Sequence, residues 1–368
     1  MSESNNPAND APVVVPAAAA TVNSTPADTP VQPNAATDND FIDAEEFTDD
    51  NSSVTNRSLA SSSTSVTSSI LDYRLENGRT YHRYKDGKYS LPNDDRENDR
   101  LDLQHNLILR SFGDRLGTAP PNDPGSKVGR VLDLGTGSGI WAIDFGDEHP
   151  EADVLGVDLS ASQPEFTPPN VRFEVDDVEE PWTYSRPFDY IHSRMMTSSI
   201  ANWDEYIRRA YDNLSPGGYL ELNEMDIVPL SDDGTLKEDS TLMKSIRLME
   251  RAAIIFGRPF EDIQGLKTKM IEAGFEDVHI QRFKWPTNPW PKLPEYREIG
   301  IWNYENFAPN WEGFTMAPLT RAFDWTREEV LLHVMEVRKD LGDRSIHAYF
   351  SLWSIYGRKP EKEATPDN

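Results

Sequence analysis

Two aspartates and three glycines carry the most specific chemistry in this chain. Gly135, Gly137 and Gly139 are spaced G-x-G-x-G, Asp133 stands two residues before the first of them, and Asp158 follows the last by 19. A dinucleotide site calls for G-x-G-x-x-G, with the pyrophosphate on a helix N-terminus. Here the third glycine would fall at Ile140, and an acid at 133 would repel phosphate while attracting positive charge. Both points oppose a NAD-dependent oxidoreductase. S-adenosylmethionine meets the same terms, because it carries a sulfonium, an amine and a carboxylate but no phosphate. The N–H groups of the three glycines are expected to approach its carboxylate and ribose, with no Cβ in the way. Asp158 stands where doubly wound folds place an acid for the two ribose hydroxyls.

The elements that must position these residues follow from the apolar pattern. Residues 131–134 form an apolar run broken only by Asp133, Ile140–Glu148 is helix-like, and a second apolar run at 154–157 ends on Asp158. That is a βαβ unit with parallel, buried strands. Ligands of such sheets bind outside the carboxyl ends of the strands. A third strand is predicted over Val171–Val175, ending at Asp176 and Asp177, and a fourth over 188–191, followed by His192 and Arg194 at the carboxyl edge. Methyl transfer mainly requires alignment of the nucleophile and exclusion of water. Where the acceptor must lose a proton, His192 is the candidate catalytic base, since an imidazole titrates near neutrality; an orienting or structural histidine is the competing reading. Arg194 is expected to pair with a nearby carboxylate rather than to hold an acidic substrate.

Upstream, a helix is predicted to start at Asn93 or Asp94, with Glu97 complementing its dipole and Leu101, Gln104, His105 and Ile108 on one face. Downstream, helices are predicted over Trp203–Asn213, 237–256 and 260–273, with a Pro/Gly turn at 214–218. Strands are predicted over 219–225, 278–283 and 347–356. Glu224 lies nearer the carboxyl edge, where it could touch substrate, and is read in preference as a solvated strand end. Trp182 is left between stacking on a ligand ring and packing on the sheet. The stretch 285–341 is an aromatic-rich insertion holding Trp285, Trp290, Trp302, Trp311 and Trp325, and Thr326 to Glu329 form a capping box.

Asp133 to Gly139, with Val157 and Asp158, resemble the first motifs of the class I S-adenosylmethionine-dependent methyltransferases. Further matches are residues 171–178, 188–192 and 214–221. More narrowly, residues 76–82, 91–94 and 99–105, with the closing 346–349 and 357–360, resemble the LaeA-like branch of fungal methyltransferases tied to secondary metabolism and development. The resemblance covers 73–360. It implies an α/β, Rossmann-like, seven-stranded, three-layer fold, five parallel strands leading and an antiparallel pair closing. It implies S-adenosylmethionine bound by Asp133, Gly135, Thr136, Gly137, Gly139, Asp158, Leu159, Asp176, Asp177 and Val178. Within this set Asp177 best matches the acid that accepts from the adenine amino group, with the N–H of Val178 reaching the ring; Asp176 is the competing register. The family position of the insertion puts it over the substrate cavity, so a bulky organic or protein side-chain acceptor is expected. The alternative function is a nuclear regulator that acts in a protein complex, with the fold used mainly for binding.

Composition bounds the rest. A net charge of −27, with no Lys/Arg block, opposes nucleic acid as a partner. The absence of cysteine excludes disulfides, thiolate catalysis and cysteine-ligated zinc, and no metal site is expected. No signal peptide or membrane span is predicted, so the chain is expected in the cytoplasm or nucleus. Residues 1–69 form an acidic Ser/Thr/Pro/Ala-rich stretch expected to be disordered, within which Phe41 to Phe47 is an acidic-hydrophobic island able to fold on a regulatory partner. The expected organisation is completed by a helical cap over 70–128, a methyltransferase domain over 129–360, and a short tail over 361–368.

Overall fold

The computed structural model describes residues 73–85 and 87–361. The expected disordered stretch 1–69, its 41–47 island, and 362–368 of the short tail lie outside them.

The glycine turn sits at the centre of a seven-stranded sheet. Strands β1 (Arg74–Glu76) and β2 (Arg79–Tyr81) form a separate hairpin. The main sheet contains β3 (Arg130–Leu134), β4 (Asp153–Asp158), β5 (Val171–Val175), β6 (Phe188–Arg194), β7 (Leu214–Leu230), β8 (Glu276–Pro286) and β9 (Tyr349–Arg358). Their order is β5-β4-β3-β6-β7-β9-β8. Strands β3 to β7 run parallel to one another, whereas β9 opposes both β7 and β8. Thus β9 alone runs against the rest. The order reverses direction at β3, which puts the switch point, and the expected ligand crevice, at the end of β3. Apolar runs explain the middle of the sheet: four of five residues of β3 and four of six of β4 are buried.

Eight α-helices are described: α1 (Asp95–Ser111), α2 (Ile140–Glu148), α3 (Trp203–Asn213), α4 (Thr241–Ile255), α5 (Leu266–Ala273), α6 (Pro294–Phe307), α7 (Trp311–Phe323) and α8 (Arg327–Gly342). Asp94 caps α1 by accepting the Glu97 N–H at 3.1 Å, and Arg79 on β2 grips the same carboxylate. Thr326 and Glu329 form the expected capping box of α8. Three apolar clusters hold the layers together. One, under β3 and α2, contains Trp141 and Phe145; another lies between β6 and β7 and helices α3 and α5; the third joins α1, α4 and the 285–341 segment around Trp285, Phe307 and Trp311. None of the described helices is long and apolar enough to cross a membrane.

Several elements differ from the sequence-based expectation. Residues 214–218 belong to β7 rather than to a turn. Leu214 pairs with Phe188, and the chain beyond Arg358 reaches this stretch through Gly217 N–H to Lys359 O and Lys359 N–H to Gly218 O; Gly217 itself sits at φ +81. The helix expected from 237 starts at Thr241, because the Ser240 hydroxyl accepts the Met243 N–H. The one expected from 260 starts at Leu266, and β6 runs on to Arg194.

Candidate active site

A cavity opens at the carboxyl ends of β3 to β7, and α1, α4, α6 and α7 contribute to its walls. The glycine turn forms part of its floor. Gly135 and Gly137 line it at φ +69 and +59. At Gly135 a Cβ would also come within 2.4 Å of Met196 Sδ, so a side chain there would be strained and would have to displace Met196. Asp158 ends β4 beside this turn; its two carboxylate oxygens accept the N–H groups of Gly137 and Ser160, each at 2.9 Å. Burial pushes its carboxyl above the ordinary value, against those two hydrogen bonds. Leu159, Asp176, Asp177 and Val178 continue the same wall. Asp177 is buried and holds Lys88 by one oxygen, while the other accepts the Glu179 N–H at 3.0 Å. Asp176 accepts the N–H of Asp177 through Oδ1 at 2.8 Å.

The glycine N–H groups do not face the cavity as donors. Those of Gly135 and Gly139 go to Val157 O and Thr136 O, both at 2.9 Å, and that of Gly137 goes to Asp158. These are the N–H groups expected to approach the ligand carboxylate and ribose; in the structure each already donates to an oxygen of the protein. Three further residues of the expected set stand behind the wall. Asp133 is buried, one oxygen taking the Thr136 hydroxyl at 2.6 Å and the other His192 Nδ1–H at 2.7 Å. Thr136 is tied down by that bond. Gly139 opens α2 at φ +83, with Phe173 Cζ 2.6 Å from where a Cβ would lie.

His192 also needs correction as a candidate base. It is 1 % exposed, and its ring lies flat on Trp141 with centroids 3.7 Å apart. Its Nδ1–H donates to Asp133, and its Nε2 accepts from Asn223 Nδ2 at 3.2 Å. Both nitrogens are occupied inside the sheet, so it braces β3, β6 and β7 and has no free atom for a substrate proton.

Other residues at the site make contacts that the sequence did not foresee. Glu224, placed at a solvated strand end by sequence, is fully buried. It accepts the N–H groups of Met196 and Thr197 and the Thr197 hydroxyl, all at 3.0 Å. Burial lifts its carboxyl to about 7 despite these bonds. The segment it grips, 195–199, lines the cavity and contains Met195 and Ser198 at φ +57 and +65. Arg194 lines the cavity and donates to His105 Nδ1 at 3.1 Å, and His105 Nε2–H donates to Asp144 at 2.9 Å. The expected carboxylate pair of Arg194 is thus replaced by a neutral imidazole. Trp182 donates its Nε1–H to Val178 O at 2.9 Å and packs on the sheet.

Beyond Met195 the cavity becomes an apolar chamber. Met225, Ile246, Met249, Phe256, Phe260, Phe307, Trp311, Phe314 and Phe350 face it. Two of the cavity's three arginines pair with carboxylates: Arg100 with Glu97, and also Asn306, and Arg258 with Glu179, and also Ser199 O. The 285–341 segment supplies Phe307, Trp311 and Phe314 to this lining.

The strand order, the glycine turn at the switch point and the acid at the end of β4 define a class I, Rossmann-like methyltransferase fold. Residues 103–280 match the family model described as a methyltransferase domain. The chain is 43 % identical over 301 residues to methyltransferase pytC of Aspergillus terreus, covering 82 % of this chain and 92 % of that one. It is 38 % identical to the secondary metabolism regulator LAE1 of Cochliobolus heterostrophus, over 78 % of this chain and 95 % of that one. With the probable methyltransferase tdiE of Emericella nidulans it shares 33 % identity over 72 % and 83 % of the two chains. The chain belongs to the S-adenosylmethionine-dependent methyltransferases, in the fungal branch that includes the LaeA-type proteins.

Proposed function

We propose that this methyltransferase acts on a bulky, apolar small molecule of secondary metabolism. The apolar chamber carries this reading. A peptide lying in it would set its own N–H and C=O groups against methionine and aromatic walls, at a cost of roughly 1–3 kcal/mol for each unpaired group, whereas a polycyclic or prenylated organic ligand would not. Methionine side chains adapt to irregular aromatic shapes, which suits such a ligand. That two relatives are named as methyltransferases and one as a regulator of secondary metabolism agrees with the class of acceptor.

The cavity's own residues fit S-adenosylmethionine. Each oxygen of Asp158 retains a lone pair beyond its backbone bond, enough to accept from both ribose hydroxyls, and the acids at 158, 176, 177 and 179 disfavour a phosphate-bearing ligand. We assign the ribose to Asp158 and Leu159, the adenine edge to the 176–178 turn, and the floor to Gly135 and Gly137. When bound, S-adenosylmethionine supplies a methyl carbon already activated by its sulfonium. The chain aligns the acceptor and excludes water. The 195–199 segment, braced by Glu224, lines the cavity, and α6 and α7 contribute aromatic side chains to its wall. With His192 sealed in the sheet, we infer an acceptor whose nucleophile carries its electron pair near neutral pH without a histidine base. In this arrangement the described residues of the 70–128 segment act as a cap and 285–341 as a roof on the domain at 129–360.

The test is transfer of an isotope-labelled methyl group to fractions of a filamentous fungal culture. Label is expected in the organic-soluble fraction and is expected to fall in a Met249→Trp variant that fills the chamber. Label confined to protein, unaffected by that variant, would overturn the reading.

A further inference from the structure

The geometry points to Arg194 as the receptor for a carboxylate delivered into the cavity, in a polar corner completed by Gln104. The inference rests on the S-adenosylmethionine reading above and adds a residue to it.

Arg194 ends β6, opposite Asn223 on β7 and one step past the Leu134–Ser193 pairing that leads into the glycine turn. Its guanidinium lines the cavity. Among the described residues no carboxylate lies within ion-pair distance of it; its one hydrogen bond goes to His105. Because His105 gives its other ring proton to Asp144, its Nδ1 is a lone pair facing Arg194. That contact aims the guanidinium without neutralising it, and leaves further N–H donors for a ligand. Burial pulls the guanidinium down to about 10, the direction expected of a cation short of a partner. The guanidinium is half-buried, and Asp133, Asp102 and Asp144 act on it only from beyond ion-pair distance, so a ligand carboxylate would be its first direct counter-ion.

Two neighbours strengthen the case. The glycine N–H groups, the usual candidates for such a carboxylate, are all spent within the protein. Gln104, next to His105 on α1, is 5 % exposed, lines the cavity and makes no side-chain hydrogen bond among the described residues. Arginine and amide together offer the planar donor set a carboxylate takes. The carboxylate could come from the methionine moiety of S-adenosylmethionine or from an acidic acceptor.

Calorimetry separates these sources. Binding of S-adenosylmethionine and of its decarboxylated form is measured on wild type and Arg194→Gln, and binding of benzoate is measured on both proteins saturated with S-adenosylhomocysteine. A loss of about 10- to 100-fold for S-adenosylmethionine, as a charged hydrogen bond implies, with the decarboxylated form unchanged, assigns the cofactor carboxylate. Unchanged S-adenosylmethionine affinity with loss of benzoate binding assigns an acidic acceptor. Equal effects on both forms of the cofactor, or no effect on any probe, overturn the inference. If Arg194→Gln does not fold, Arg194→Lys keeps the charge but lacks the fork; either the wild-type preference for the carboxylated form or the affinity for benzoate should then shrink, and a variant in which neither changes overturns the inference. Failure of wild type to bind S-adenosylmethionine would instead count against the cofactor reading itself.

Discussion

Glu224 holds Thr197 twice, accepting its backbone N–H and its hydroxyl, both at 3.0 Å. With the Met196 N–H on its other oxygen, this one buried carboxylate fixes a segment that lines the cavity. Glu224→Gln puts an amide N–H against donors already present. It is expected to cost about 1–3 kcal/mol of stability, the range for leaving buried donors unpaired, measurable by denaturant unfolding. Unchanged stability would remove Glu224 from this role.

The same residue sets a pH dependence. Its carboxyl rises from 4.5 in the unfolded chain to about 7 in the fold, through burial. Between these values the folded state binds a proton that the unfolded state does not, so this group lowers stability as pH climbs from 4.5 to 7 and adds no further slope above. Thermal melts across that window should show a shallower slope in Glu224→Gln than in wild type.

His105 works in the opposite sense. Burial and the neighbouring Arg194 charge hold it below its ordinary 6.5, against the pull of Asp144. The unfolded chain therefore takes a proton first as pH falls below 6.5, and stability falls with it until the folded histidine is protonated too. A protonated Nδ1 would also cease to accept from Arg194. His105→Gln should flatten this acid-side loss; an identical profile would exclude the histidine as its source.

His192 offers a contrast. Stacked on Trp141 and hydrogen-bonded at both nitrogens, it should behave as a strut. His192→Gln is expected to lose about 1–3 kcal/mol of stability while leaving the pH profile of methyl transfer unshifted. Loss of an acidic limb from that profile in a stable variant would restore it as a base.

The sequence shows the skeleton of this site because backbone demands leave residue-type signatures. The apolar runs of β3 and β4, the glycines between them and Asp158 at the next strand end mark the switch point without side-chain detail. What escaped it depends on which face of a strand a residue presents and what lies beyond it. Asp133 and His192 are ladder partners on β3 and β6, and nothing local reveals that they meet inside the sheet. Glu224 looked like a solvated strand end because β7 was expected to stop at 225, whereas it runs on to Leu230. Likewise Arg194 meets His105 from 89 positions away in the chain. Such contacts arise from tertiary packing, and no periodicity encodes them.

The central claim is that Asp158 and the glycine turn form an S-adenosylmethionine site, and calorimetric titration tests it most directly. Wild type should bind S-adenosylmethionine saturably and NAD not at all. Asp158→Ala, shown to be folded by its thermal melt, should bind at least about tenfold more weakly, since two hydrogen bonds to a charged group are lost. A folded wild-type protein that ignores S-adenosylmethionine, or a folded Asp158→Ala variant with wild-type affinity, would contradict the account.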